Sequence, residues 1–181
     1  RKRHVGSVPP HAETHQSHRN RSGRRIEEIP TVAEECLDVS MEIARTEGRI
    51  GTITAGCAAV LNHGMEHWHP NPDFFFLPGG GPMLDMGPYY IANLINLIGP
   101  VKRVAALTSA AEAERVISSE PRKGERVPVR TPTNIHALLE FQNGATVNLS
   151  TSWDVWSHRR GHMELYGTEG TIYVPDPNFF G

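Results

Sequence analysis

Residues 133–153 read TNIHALLEFQNGATVNLSTSW, and this stretch decides the fold class. Apolar and polar residues alternate on both sides of the pair Asn143-Gly144, with the period of two half-buried strands. Asn-Gly is the preferred pair for a type I′ turn, so the spacing predicts an antiparallel hairpin joined by a two-residue turn. The apolar face of such a hairpin must be buried against another element, which predicts a layer of helices packed on a sheet.

The other patterned segments fit the same layer. Residues 79–99, GGGPMLDMGPYYIANLINLIG, predict a helix with Pro88 in its first turn and a stop at Gly99-Pro100. Residues 31–48 predict another helix, and residues 49–62, 101–109 and 162–175 predict strands. The polar insertion 110–128 is predicted to be partly helical. The fold class is therefore α+β: an open, mainly antiparallel sheet with helices on one face.

Residues 1–30 differ in composition from the rest of the chain. They are rich in Arg, His, Ser and Pro and hold few aliphatic side chains, so they predict a disordered or non-native basic leader. No aromatic residue interleaves the charges, which argues against a nucleic-acid tail. The remaining residues, 31–181, have the length of one domain.

Bulk properties narrow the class of protein. The formal net charge of −2 gives no global attraction to nucleic acid or to a membrane, and no apolar run is long enough to span a bilayer. Cys36 and Cys57 lie in different segments without CxxC spacing, which indicates reduced thiols and a cytoplasmic location.

Asp85 and Tyr89 are the first candidate pair. Four residues apart at a helix start, they are expected on one face, where a carboxylate orders a site and a phenol exchanges a proton. The alternative is that Asp85 only caps the helix and Tyr89 is a core aromatic residue. Gly80 and Gly81, in the turn before them, permit close backbone approach to a ligand, or simply a tight entry to the helix.

Two polar segments supply further candidates. HGMEHWH, residues 63–69, places three histidines and Glu66 close together, but the HxxxHxH spacing is weak and we predict no metal site. The histidines are expected instead to line a polar pocket, beside an indole face on which a sugar ring stacks, or to be ordinary loop residues. TSWDVWSHRRGH, residues 151–162, is the second segment, in which an arginine can hold a carboxylate or hydroxyls through two hydrogen bonds; the alternative is a charged strand end before a hairpin. The predicted substrate contacts are His67, Trp68, His69, Trp153, His158 and Arg159.

Three separated motifs, EGRIGTITAG, WHPNPDFFFLPGGGPMLDMGPYY and ELYGTEGTIYVPDPN, resemble the C-terminal domain of the Gfo/Idh/MocA family of NAD(P)-dependent sugar and polyol oxidoreductases. The resemblance covers about residues 41–181. It implies the glucose–fructose oxidoreductase type of C-terminal fold, which covers the nicotinamide, contacts the substrate and forms a dimer through its sheet face. The family pattern DxGxH reads Asp85-Met86-Gly87-Pro88-Tyr89 here, so the resemblance implies that Tyr89 is the acid/base and Asp85 its partner.

The departures from the family pattern shape the functional prediction. No GxGxxG follows a strand and no EKP-type lysine is present, so the chain is expected to be a truncated piece that lacks the Rossmann domain. The family uses NAD or NADP, and neither is expected to bind this chain alone. A carbohydrate substrate and a second copy of the chain are the expected partners, with no nucleic acid or membrane. The alternatives are a non-catalytic domain that self-associates or binds a sugar and, less favoured, a histidine-loop metal enzyme.

Overall fold

The computed structural model describes residues 16–28 and 48–178. These residues form ten strands and three helices. The strands are β1 Gln16–Arg19, β2 Arg25–Glu28, β3 Ile53–Leu61, β4 Val101–Ser109, β5 Glu114–Val116, β6 Arg126–Pro128, β7 Asn134–Phe141, β8 Thr146–Ser152, β9 Met163–Gly167 and β10 Gly170–Val174. The helices are α1 Asp73–Phe76, α2 Pro82–Asp85 and α3 Gly87–Ile98. Among the described residues, no helix combines the length and the apolar character needed to cross a bilayer.

Eight strands form one open sheet in the order β1-β2-β10-β9-β3-β8-β7-β4. The pairs β2–β10 and β3–β8 are parallel, and the other five are antiparallel. The α+β class with a mainly antiparallel sheet is confirmed.

Helix α3 covers one face of the sheet. Its residues Tyr90, Leu94 and Leu97 are buried in the main core together with alternate residues of β7. The β7 side chains in that core are Ala137, Leu139 and Phe141, at every second position as the period-2 pattern predicts, and Ile135 on the same face is also buried. Leu138 points away from this core and is 55% exposed, so the second face of the sheet carries an apolar residue in the open.

The β7–β8 hairpin is confirmed, but its predicted type I′ turn is wrong. Gly144 N–H donates to Phe141 O at 3.0 Å, and Phe141 N–H donates to Ala145 O at 2.9 Å, so the turn holds three residues. A type I′ turn requires a positive φ at both central residues. Gly144 has φ +90°, but among the described residues only glycines have a positive φ, so Asn143 does not adopt the I′ conformation. Asn143 Oδ1 instead accepts from Ala145 N–H at 2.9 Å, a local bond that holds the wider loop.

The polar insertion contains strands rather than the predicted helix. β5 and β6 pair antiparallel in a separate two-stranded sheet. Ile117 and Val127 from this arm are fully buried, and they form a second core with Met65, Phe76 and Trp153. Packing of these few side chains against another segment therefore holds the β5–β6 arm in place. A repeating pattern of apolar residues in the local sequence does not reveal such packing.

Part of the predicted disordered leader is ordered. Residues 16–28 form β1 and β2, and β2 pairs with β10 in parallel. A Cβ on Gly170 would lie 2.6 Å from Arg25 O, so the glycine allows the β2 backbone to approach. The disorder prediction is wrong for these residues because a distant strand supplies their backbone hydrogen bonds. The rest of the leader, the helix predicted at residues 31–48 except Gly48, and Cys36 lie outside the described residues.

Candidate functional site

The glycine turn leads into two helices instead of the single predicted one. Asp85 is the last residue of α2, Met86 separates it from α3, and Pro88 lies in the first turn of α3 as predicted. A proline has no N–H to donate and its ring crowds the carbonyl four residues earlier, which breaks the helix at this point. A Cβ on Gly87 would lie 2.5 Å from Met83 Sδ, so the glycine allows the two short helices to pack closely.

Asp85 and Tyr89 flank this break with different environments. Asp85 is half-buried, burial raises the pKa of its carboxyl group, and its side chain has no hydrogen-bond partner among the described residues. No side chain caps α3, whose N-cap residue is Met86, so the capping interpretation of Asp85 is wrong. Tyr89 is 41% exposed, so its ring is not enclosed in the core, and the alternative of a packed ring with its hydroxyl at the surface stays open beside the acid/base prediction. A desolvated carboxylate and an accessible phenol therefore lie four residues apart.

Tyr90, the next residue, holds the helix to the sheet through a polar network that sequence reasoning missed. Its side chain is fully buried, and its hydroxyl donates to Asp176 Oδ1 at 3.0 Å and lies 3.1 Å from His162 Nδ1. Burial and the Asp176 carboxylate raise the pKa of the Tyr90 phenol far above its usual value. The phenol is therefore a neutral donor that positions α3.

The glycine turn is shaped by close packing. A Cβ on Gly80 would lie 2.4 Å from Phe75 O, and Gly81 has φ +94°. Gly81 N–H donates to Phe75 O at 2.8 Å, and Gly81 O accepts from Asp85 N–H at 3.0 Å. Packing against α1 therefore explains the glycine at position 80, and the positive φ explains the glycine at position 81. Their predicted approach to a cofactor stays a proposal.

The segment 63–69 is held close to the glycine turn through α1. The ring of His69 makes edge contacts with Phe74 and Phe75, whose carbonyls lie against Gly80. Trp68 is 64% exposed and presents an open indole face. The contacts through α1 therefore connect this segment to the glycine turn at Gly80.

His63, Glu66 and His67 come together in the same segment. One ligand atom from each lies within 4.8 Å of the others. His67 Nδ1 is 2.7 Å from Ser118 Oγ, and His67 Nε2 is 3.5 Å from Glu66 Oε1. Burial and the nearby side chains of His67 and Arg115 lower the pKa of His63, which keeps its imidazole neutral.

Arg115 anchors Glu66 in a buried charge network that the sequence did not reveal. Its guanidinium donates to Glu66 Oε1 at 3.1 Å, to the Asp154 carboxylate and to Trp153 O at 3.2 Å. Arg115 and Glu66 side chains are 5% and 2% exposed, so neither charge is solvated. Asp154 also accepts from Thr133 Oγ1 at 2.7 Å.

The other predicted contact residues divide by exposure. Trp153 is fully buried against Phe75 and Phe76, so it packs the second core and offers no exposed face. His158 is exposed, and its Nε2 lies 3.2 Å from Leu61 O at the end of β3. Arg159 is also exposed. The structure therefore keeps five of the six predicted contacts at least partly accessible.

Comparison with known proteins decides the family. Residues 42–173 match the GFO/IDH/MocA C-terminal domain. The chain belongs to this family. A search of curated protein sequences found no match.

Solved structures share the fold of this GFO/IDH/MocA domain at low sequence identity. An apo levoglucosan dehydrogenase is 24% identical, with a TM-score of 0.59 over 73% of this chain and 36% of its own. An NAD binding oxidoreductase from Klebsiella pneumoniae is 21% identical, with a TM-score of 0.63 over 80% of this chain and 38% of its own. A super-repressor mutant of Gal80p from Saccharomyces cerevisiae is 18% identical, with a TM-score of 0.62 over 75% of this chain and 37% of its own. The chain thus spans little more than a third of the length of these proteins.

Proposed function

We propose that this domain binds the substrate and forms the dimer contact of a nicotinamide-dependent sugar or polyol oxidoreductase. The observation that carries the proposal is the environment of Asp85: a half-buried carboxylate with a raised pKa and no hydrogen-bond partner among the described residues. An unpaired, desolvated carboxylate destabilises the fold that holds it, which is typical of a residue kept for function.

Tyr89 is the proposed acid/base. Tyr89 is 41% exposed, and its hydroxyl takes the proton of the sugar alcohol during oxidation and returns it during reduction. The nicotinamide, held by a nucleotide-binding domain of the same family, supplies the hydride chemistry. Asp85 positions the substrate hydroxyl or Tyr89 from the end of α2.

The substrate class is a carbohydrate. Trp68 offers an exposed indole for stacking, and the side chains of His69, His158 and Arg159, all at least partly exposed, carry polar groups for hydrogen bonds to hydroxyls. Two of the similar structures are levoglucosan dehydrogenase complexes with NADH and either levoglucosan or L-sorbose. Their names support a sugar substrate for this domain.

A tyrosine pair provides the test of the mechanism. The domain is joined to the nucleotide-binding domain of a family member, and Tyr89→Phe is compared with Tyr173→Phe, whose ring is similarly exposed at 39% against 41%. Loss of an acid/base should lower kcat by about 10²–10⁴-fold in the first variant only. Unchanged turnover in Tyr89→Phe would remove this residue from the mechanism.

The cofactor proposal concerns the chain by itself. The sequence contains no GxGxxG after a strand, so we expect no saturable heat of binding when NADH or NADPH is titrated into the 181-residue chain. Micromolar affinity for either nucleotide would contradict this expectation.

The dimer is proposed to form through the sheet face that α3 leaves uncovered. Leu138 on β7 and Leu107 on β4 are 55% and 82% exposed. In the β4–β7 ladder Leu138 pairs with Ala105 and Leu107 pairs with His136, so the two leucines are diagonal neighbours on the same face. A second copy of the chain would bury them. Light scattering should give twice the chain mass, and Leu138→Lys should shift the distribution towards monomer. A wild-type monomer at high concentration would refute the dimer.

The second candidate function is a non-catalytic domain that binds a sugar or self-associates. The similarity to Gal80p favours it, because that structure is described as a super-repressor rather than as an oxidoreductase. Sugar binding without any turnover in the joined protein would support this candidate. The cytoplasmic location remains a proposal, consistent with the free thiol of Cys57.

A further inference from the structure

We propose that His63, Glu66 and His67 bind one Zn²⁺ ion, which reverses the sequence-based prediction of no metal site in this segment. Two imidazoles and one carboxylate make up a ligand set that zinc accepts, with the remaining coordination position left to water. The three ligand atoms lie within 4.8 Å of one another. Ligand nitrogens and oxygens around zinc sit about 2.0–2.2 Å from the ion, so the three atoms must draw closer on binding. The stacked rings of His63 and His67, whose centroids are 4.7 Å apart, must also rotate to aim a nitrogen each at the ion.

Two buried, unpartnered atoms point to an ion rather than to ordinary packing. Glu66 Oε2 and His63 Nδ1 have no hydrogen-bond partner among the described residues, although Glu66 is 2% exposed. Buried polar atoms nearly always have a hydrogen-bond partner. Glu66 Oε2 and His63 Nδ1 have none within the described part of the chain, and a cation binds to a lone pair that no hydrogen bond uses. A Cβ on Gly64 would lie 2.3 Å from Glu66 Oε2, so the glycine leaves the space that this carboxylate oxygen needs.

The third ligand is held in the orientation that metal binding uses. His67 Nδ1 bonds to Ser118 Oγ at 2.7 Å, which leaves Nε2 on the side of Glu66. A histidine that ligates a metal commonly bonds through its other ring nitrogen in this way. The backbone is also fixed, because Glu66 O accepts from Ser118 N–H and Ser119 N–H at 3.0 and 3.2 Å.

Arg115 sets the electrostatic limit on the site. Its charge opposes a second cation, but Glu66 and Asp154 both contact it, so the two carboxylates and one guanidinium leave a net charge of −1. Arg115 occupies Glu66 Oε1 and leaves Oε2 for the ion. The balance permits a divalent cation and predicts weaker binding than a site with no competing cation.

The test is a calorimetric titration of the metal-stripped 181-residue chain with ZnCl₂. We expect one equivalent to bind, with at least tenfold weaker affinity in His63→Gln and in His67→Gln. Ser118→Ala should weaken binding about tenfold, the effect of losing a hydrogen bond that orients a ligand. His136→Gln is the matched control, since His136 Nδ1 also contacts a serine, Ser150 Oγ at 3.0 Å, on a strand outside the site.

A second readout separates the site from non-specific binding. Co²⁺ in place of Zn²⁺ should give visible d–d absorption that disappears in His63→Gln and stays in His136→Gln. The proposal is overturned if wild type binds no stoichiometric zinc, or if binding survives in both His63→Gln and His67→Gln. Circular dichroism of each variant confirms that the fold is retained, and Ser118→Ala, which changes no ligand, decides the case if a histidine variant does not fold.

Discussion

Replacing Arg115 by methionine is expected to lower the free energy of unfolding by about 3–5 kcal/mol. The change keeps an unbranched stem of similar length but removes the cation between Glu66 and Asp154. Their side chains are 2% and 8% exposed, so each loses its counter-charge without gaining water. Breaking a buried ion pair on one side typically costs this amount. Against a total stability of about 5–15 kcal/mol, the loss is large enough to measure without ambiguity.

Arg126 provides the matched control on the neighbouring strand. It pairs with Glu114, but the two side chains are 67% and 51% exposed. An exposed ion pair contributes about 0–1 kcal/mol, so Arg126→Met should hardly change the unfolding curve. Both variants are unfolded in urea, and the midpoints are compared at equal slope.

A charge-neutral variant distinguishes lost charge balance from lost packing. Combining Arg115→Met with Glu66→Gln and Asp154→Asn removes the stranded carboxylates and should recover part of the loss. If Arg115→Met and Arg126→Met shift the midpoint equally, water reaches the Arg115 network and the argument for its burial is wrong.

Three further changes test local features. At pH values above 5, Asp85→Asn should leave the free energy of unfolding unchanged or increase it, because the wild-type carboxylate is desolvated. The difference between variant and wild type vanishes as the pH falls below the ordinary carboxyl pKa of 3.8. Gly167→Ala should lower the free energy of unfolding by about 1–3 kcal/mol, since its Cβ would lie 2.0 Å from Ile50 O. Tyr90→Phe should cost about 1–3 kcal/mol by leaving Asp176 without its buried donor.

Thermal and urea unfolding measure all three changes, and each has an outcome that contradicts it. A loss of about 1 kcal/mol in Asp85→Asn at neutral pH would show that the carboxylate charge stabilises the fold, which contradicts the desolvation argument. Gly161→Ala serves as the glycine control, because its Cβ would meet only Glu164 Oε1 at 3.3 Å. A neutral Tyr90→Phe would show that the hydroxyl contacts are replaceable by water.

The sequence by itself determined the elements whose patterns are local. The period-2 alternation in residues 134–152 predicted β7 and β8, because a pleated strand exposes alternate side chains to opposite faces. Pro88 and Gly99 bounded α3, since one lacks an N–H and the other adopts a φ of +118°. The three family motifs predicted the GFO/IDH/MocA fold, whereas the role of Tyr89 stays a prediction.

Only the tertiary structure decided which polar residues are desolvated and paired. Arg115 is 49 residues from Glu66 and 39 from Asp154, so no sequence spacing links them. The same holds for Tyr90, whose partner Asp176 is 86 residues away. Burial depends on what packs over a side chain, and that covering comes from distant segments. For this reason the sequence predicted Trp153 as a surface contact, whereas the second core encloses it.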